Sequence, residues 1–211
     1  MMNTQTEDKT FFWNAIEETN AHKDAHWSEY DIDEHIEKLT QYLSTYDKDT
    51  LIKFEKTLQE KLQELYTAEI VELNIILENQ FTKGGDAYIF DETMSEDGFL
   101  YFRCWLLLKG KDFFDDIMMD IQNFVNGKYS FDIGDVWAEG LLYVTDDAYS
   151  ANHENEHESE IRDAVYELHP EINYDAGETV IKRKLYTGGE LQEAYPALVR
   201  EILGLKNEGS E

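Results

Sequence analysis

The chain holds one cysteine, Cys104, two prolines, Pro170 and Pro196, and few cations, with 18 Lys and Arg against 46 Asp and Glu. Each scarcity excludes something. A single thiol cannot form an internal disulfide framework, so the sequence predicts a reducing, cytoplasmic setting. With so little proline and no Ser/Gly-rich stretch, nothing marks a domain boundary. No apolar run approaches the roughly 18 residues needed to span a bilayer, and no basic-then-apolar leader opens the sequence.

The shortage of cations leaves a net charge of −28 at pH 7. Such a field repels phosphate backbones and anionic lipid headgroups, so the expected partners exclude nucleic acid and membrane. A basic protein remains as the partner that the charge favours, although acidic excess also serves solubility alone. Salt adaptation is a poor explanation, because the cations are mostly Lys and large apolar residues are plentiful.

Reaction motifs are scarce as well. No G-x-S-x-G elbow occurs, and Gly84-Gly85 and Gly188-Gly189 lack the rest of a phosphate-binding loop. Asp31-Ile32-Asp33 and Asp47-Lys48-Asp49 lack the glycine and the closing glutamate of a calcium loop and read as helix starts. Asp115-Asp116 and Asp146-Asp147 are adjacent pairs, which point about 100° apart on a helix, so they read as caps and surface charge. Cys104 has no neighbouring histidine and reads as a core thiol. No catalytic residue and no cofactor is assigned.

What the chain has is aromatic and aliphatic material at helical spacing: 11 Phe, 13 Tyr and 4 Trp in 211 residues. Phe12, Trp13 and Ile16 form a first apolar face. Ile32, Ile36, Leu39 and Leu43 form a second, with Asp31 and Glu34 as a capping box. From a cap at Asp47, Leu51, Phe54, Leu58, Leu62, Leu65, Ile70, Leu73 and Leu77 continue as one long helix or as two with a break near Thr67. Glu55, Lys56, Glu60 and Lys61 read as its solvated face. Ala87-Tyr88-Ile89-Phe90 suggests a short extended piece. Helices are expected over about 98–108, with a stop at Gly110, and around 113–121.

Trp137, Leu141, Val144 and Ala148 space another helix, and Ile161, Val165 and Leu168 one more. The Thr179 to Leu185 run has strand character. Thr187 with Glu190 looks like a capping box, and Pro196 suits the first turn of a closing helix. The expected fold is mainly α: a multi-helix globular domain with at most a short hairpin or strand pair near 84–92 or 172–186. The expected division is a helical domain over 9–150 and an acidic segment with C-terminal helices over 151–211, packed on that domain.

Three blocks carry a resemblance: Phe12-Trp13-x-x-Ile16-Glu17-Glu18, Asp97-Gly98-Phe99-x-x-Phe102-Arg103-x-Trp105-Leu106, and Glu139-x-Leu141-x-Tyr143-Val144 followed by Ala148-Tyr149. Over about 9–150 the chain resembles the bacterial family of unknown function DUF4240, and Leu191-x-x-x-Tyr195-Pro196-x-Leu198 resembles the tail that closes such proteins. The resemblance implies a largely helical fold, and it carries no activity.

Within the central block Arg103 stands among Phe102, Trp105 and Leu106, where a guanidinium can stack on a ring or fork onto a carboxylate. Asp97 and Glu139 are its expected partners, either in an ion pair that fixes helix packing or in an anion-recognition point. Asp97, Arg103, Trp105, Glu139 and Trp13 are therefore the candidate binding residues. His153-Glu154-Asn155-Glu156-His157 matches H-E-x-x-H in form. Its polar surroundings make His153 and His157 weak metal candidates in what reads as a solvated acidic face. The expected function is a protein-binding module, immunity- or antitoxin-like or regulatory, with a hydrolase using carboxylates or a His153/His157 metal as the alternative. Oligomeric state stays open.

Overall fold

The computed structural model describes residues 4–20, 30–84, 87–90, 95–125, 136–153, 159–172, 174–175, 181 and 183–208. Among these, ten α-helices and one two-stranded sheet appear, so the fold is mainly α. They are α1 (Thr4–Thr19), α2 (Ile32–Leu43), α3 (Lys48–Glu64), α4 (Ala68–Glu78), α5 (Glu96–Leu108), α6 (Lys111–Met119), α7 (Val144–Ser150), α8 (Glu160–Leu168), α9 (Gly189–Ala194) and α10 (Pro196–Glu208). Strands β1 (Phe81–Gly84) and β2 (Ala87–Phe90) pair antiparallel, Phe81 opposite Phe90. No helix among the described residues is long and apolar enough to cross a membrane.

The caps work as their residue types dictate. Asp31 accepts a hydrogen bond from the Glu34 amide at 2.9 Å, and Asp47 accepts one from Thr50 at 2.9 Å. The long apolar series breaks into two helices because Thr67 caps α4, its Oγ1 accepting from Ile70 N at 3.3 Å. Gly110 ends α5 and opens α6 at φ 90°, a conformation that costs a side-chain-bearing residue strain. Glu17 then accepts from Lys111 N at 3.1 Å and caps α6 from another helix.

The predicted periodic residues Leu51, Phe54, Leu58, Leu62, Leu65, Ile70, Leu73 and Leu77 are all buried, in one core with Phe12, Trp13, Phe102, Trp105 and Phe124. Leu191, Leu198, Val199, Ile202 and Leu203, late in the chain, enter the same core. Phe54 meets the rings of both Phe11 and Phe12. Its truncation to alanine would cost about 3–5 kcal/mol, the transfer term plus an unfilled cavity.

Several expectations are corrected. Glu55 and Lys61, read as part of a solvated face, are buried, while Lys56 and Glu60 are half-buried. Asp146 is buried although Asp147 beside it is exposed, as their 100° separation allows. Trp137 does not begin a helix: Val136 and Ala138 turn inward while Trp137 turns out, and a 3-10 turn, Glu139–Leu142, leads into α7. Leu168, expected inside, is exposed at the end of α8. Of the run from 179 to 185, residues 181 and 183–185 are not in a strand, and the others lie outside the described residues.

Candidate functional site

Sequence reasoning grouped five residues, and the fold separates them into two environments. Trp13 and Trp105 belong to the core: Trp13 lies against Phe12 and Phe114, and Trp105 stacks on Phe102 at 5.6 Å. Lys109 places its ammonium 4.0 Å from the centre of the Trp105 ring. Asp97 and Glu139 lie on the surface.

Arg103 is fully buried, and its expected carboxylate partners are not the groups it meets. Its Nη1 donates to the carbonyls of Leu62 at 2.9 Å and Tyr174 at 3.0 Å, and its Nε to that of Phe99 at 3.4 Å. The guanidinium also lies over the rings of Tyr66 and Phe99, at 5.0 and 4.8 Å. Burial lowers its pKa, opposed by the fields of Cys104, Tyr66 and Asp175. The reason for the change of partner is rotational. Arg103 follows Phe99 by four residues and shares its inward face, whereas Asp97 sits in the exposed first turn of α5.

Cys104 is buried and its thiol is pushed far up by desolvation, which leaves it protonated and unreactive. His153 is exposed, stacks on Tyr149 at 4.1 Å and bonds the Tyr149 carbonyl through Nδ1 at 2.9 Å. His157 lies outside the described residues, as do Glu154 to Glu158 generally. Among the described residues no group of three or more His, Cys, Asp or Glu is arranged to hold a metal.

Asp97 and Glu139 do converge, on a surface built by the start of α5, the end of α4 and residues 137–143. Glu139 accepts from Tyr143 Oη at 3.3 Å and from the Tyr101 hydroxyl. The Tyr101 pKa is raised to about 12, first by that hydrogen bond, then by burial and by the charges of Glu139 and Asp97. Both phenols therefore stay protonated and donate, which fixes their rings beside the carboxylate. Trp137, 53% exposed, packs edge-on against Tyr101 with centroids 6.2 Å apart and donates from Nε1 to Glu78 Oε1 at 2.5 Å.

Local sequence explains why the indole can lie there. A Cβ on Gly98 would sit 2.7 Å from Ser95 Oγ and 3.5 Å from Trp137 Cζ2, so glycine lets the Ser95 cap and the indole close on the helix together. The Ala138 amide donates to the Tyr101 carbonyl at 3.2 Å and pins the tryptophan segment to α5. Sequence reading placed Trp137 in a core face and missed this role. The signal was available in Val136 and Ala138, whose alternation with Trp137 is that of extended chain.

Two buried polar nodes were also missed. Glu55 accepts from Gln59 Nε2 at 2.7 Å and Thr145 Oγ1 at 2.8 Å; burial is the main cause raising its pKa to about 7. Beside it Asp146 accepts from the Ile161 amide at 2.7 Å and from Arg162 Nε at 2.5 Å, capping α8 from α7. On α4, Glu72 accepts from Arg183 through both oxygens, at 2.6 and 2.7 Å, and from Tyr186 N and Tyr195 Oη. Glu55, Thr145, Asp146 and Glu72 are sealed from solvent, so these nodes tie helices together and offer no opening to a substrate.

No curated protein and no solved structure matches this chain. The family match spans 7–151 and so contains Trp13, Asp97, Arg103, Trp105, Trp137 and Glu139, while the closing Leu191 to Leu198 motif lies beyond it. As that span covers more than half of the chain and the whole of α5, the chain belongs to the family described as protein of unknown function (DUF4240).

Proposed function

We propose that the chain is a protein-binding module that presents an acidic, aromatic surface to a basic partner. The observation that carries this reading is the way charge is divided. Arg103, Lys109 and Lys206 are spent on carbonyls and rings of the chain itself, and Lys38, Lys61, Arg162 and Arg183 on its own carboxylates. The acidic excess of the sequence is then left on the outside, at residues such as Asp33, Glu37, Asp97, Asp112 and Glu139. Acid alone would serve solubility. Exposed Trp137 with Tyr143 among the carboxylates adds the aromatic component common in recognition surfaces.

Complementary potentials raise association rates, and salt removes that gain. Capture on the immobilised chain at low ionic strength is expected to recover a protein of basic isoelectric point. With both components purified, the association rate is expected to fall steeply as salt rises past about 0.15 M. A partner that associates at a salt-independent rate sinks the reading. Within this class, an immunity- or antitoxin-like role, in which the acidic face covers a toxin's cationic cleft, uses the charge most fully. Co-expression that relieves the partner's toxicity checks that finer assignment.

A further inference from the structure

The surface around Trp137 has the chemistry of a receptor for one kind of side chain. Two rings, those of Trp137 and Tyr101, are held at it beside Tyr143, whose ring already carries Arg162, and three carboxylates, Glu78, Asp97 and Glu139, border them. Glu78 is the most buried of the three. Burial raises its pKa despite the Trp137 hydrogen bond, the Asn74 amide and the charge of Lys206.

The chain's own arginines show how a ring face and a carboxylate act together. Arg183 forks onto Glu72 while its guanidinium lies 4.6 Å from the centre of the Tyr186 ring. Arg162 bonds Asp146 while lying 4.9 Å from the Tyr143 ring. In both, a ring face and a carboxylate hold one guanidinium, and the surface at Trp137 presents the same combination outward. We propose that this surface, with Trp137 as its platform and Glu139 and Glu78 as its acceptors, takes an arginine side chain from a basic protein segment. The proposal rests on the reading of the chain as an acidic protein-binding module and names its docking point.

Chemistry separates arginine from the other occupants. A lysine can use a ring and a carboxylate, as Lys61 does with Phe114 and Glu64, but its compact, strongly hydrated ammonium lacks the flat face that stacks on an indole and the fork that bonds a carboxylate twice. A second copy of the chain would bring another net charge of −28, which opposes association.

The test is calorimetric titration of the full chain with an arginine-glycine repeat peptide and a lysine-glycine peptide of equal charge, near 0.15 M salt. The arginine peptide is expected to bind about tenfold more tightly than the lysine peptide. Trp137→Ala and Glu139→Gln are each expected to weaken it by about tenfold, whereas Trp137→Phe, which keeps a ring face, retains most of the affinity. Both positions are exposed, and thermal unfolding of each variant confirms an intact fold. Unchanged affinity in Trp137→Ala and Glu139→Gln overturns the docking point and leaves the basic-partner reading standing. Equal binding of the two peptides overturns the arginine assignment. If neither peptide binds the wild-type chain even at low salt, both the docking point and the broader reading fall. Self-association that is lost in Trp137→Ala would replace the arginine segment by a second copy and overturn the proposal.

Discussion

Glu55 and Thr145 lie 90 positions apart in the chain and share a hydrogen bond of 2.8 Å inside the protein. The contact joins α3 to α7 at a carboxyl whose pKa is raised to about 7. A raised carboxyl favours the protonated form in the native state. Its stabilising contribution is complete below the unfolded value of 4.5 and is lost as pH rises through about 7. The Glu55→Gln variant removes the titration and keeps the shape. Urea unfolding from pH 4.5 to 8 is expected to show the variant gaining on the wild type by up to roughly 3 kcal/mol at the alkaline end. Parallel pH profiles for the two proteins would mean that Glu55 ionises normally in the fold.

His35 supplies the opposite slope. Its Nε2 lies 2.8 Å from the Ile16 carbonyl, which can only accept, so Nε2 carries the proton and Nδ1 accepts from Tyr30 Oη at 2.6 Å. Burial lowers its pKa from 6.5 to about 4. Below pH 6.5 the unfolded chain takes up a proton that the native chain refuses, so stability falls as pH drops from 6.5 to about 4. The His35 ring protons, followed by NMR, are expected to hold their neutral shifts down to about pH 5. A midpoint near 6.5 would show that the imidazole is not sealed between α1 and α2.

How far these features could be read from the sequence depends on whether the controlling contact is local. Periodicity placed Leu51, Phe54, Leu58 and Leu62 inside because a helix brings them to one face whatever lies opposite. Glu55 sits on that same face, four residues after Leu51 and three before Leu58. Its charge argued for solvent, and only Gln59 and the distant Thr145 make its burial tolerable. Glu72 repeats the lesson within the wholly buried span of α4, satisfied by Arg183, Tyr186 and Tyr195 from the far end of the chain. Asp97 and Glu139 were singled out together, and both lie near Tyr101. The error was to pair them with Arg103 rather than with Tyr101, Tyr143 and Trp137, whose positions depend on an extended segment that a helical template misread.

Arg103 is expected to behave as a packing residue. Replacing it with methionine keeps much of the side-chain volume and leaves the carbonyls of Leu62 and Tyr174 without donors. One buried and one half-buried acceptor left unpaired cost about 2–3 kcal/mol in total, which for a chain of this size lowers Tm by roughly 5–10 °C. Arg103→Lys restores charge but cannot reach several carbonyls from one rigid plane, so its Tm is expected to fall between the two. A methionine variant as stable as the wild type would return Arg103 to the candidates for recognition.

Glu72 makes the corresponding prediction for the end of the chain. Its two oxygens take four donors, from Arg183, Tyr186 and Tyr195, and all of those donors come from beyond the family match at 7–151. Glu72→Leu supplies apolar bulk in place of the acceptors, leaving Arg183 with Glu69 and removing the acceptor of the Tyr186 amide and the Tyr195 hydroxyl, a loss of about 2–3 kcal/mol. The loss is directional, because α3 and α5 keep their own contacts while the 183–195 segment loses its anchor. Hydrogen exchange followed by mass spectrometry is therefore expected to quicken by at least about tenfold in peptides covering 183–206, with α3 peptides unchanged. Uniform acceleration across both regions would instead show that Glu72 supports the whole core, and no acceleration would show that Leu191, Leu198 and Ile202 hold the C-terminal helices by apolar contact alone.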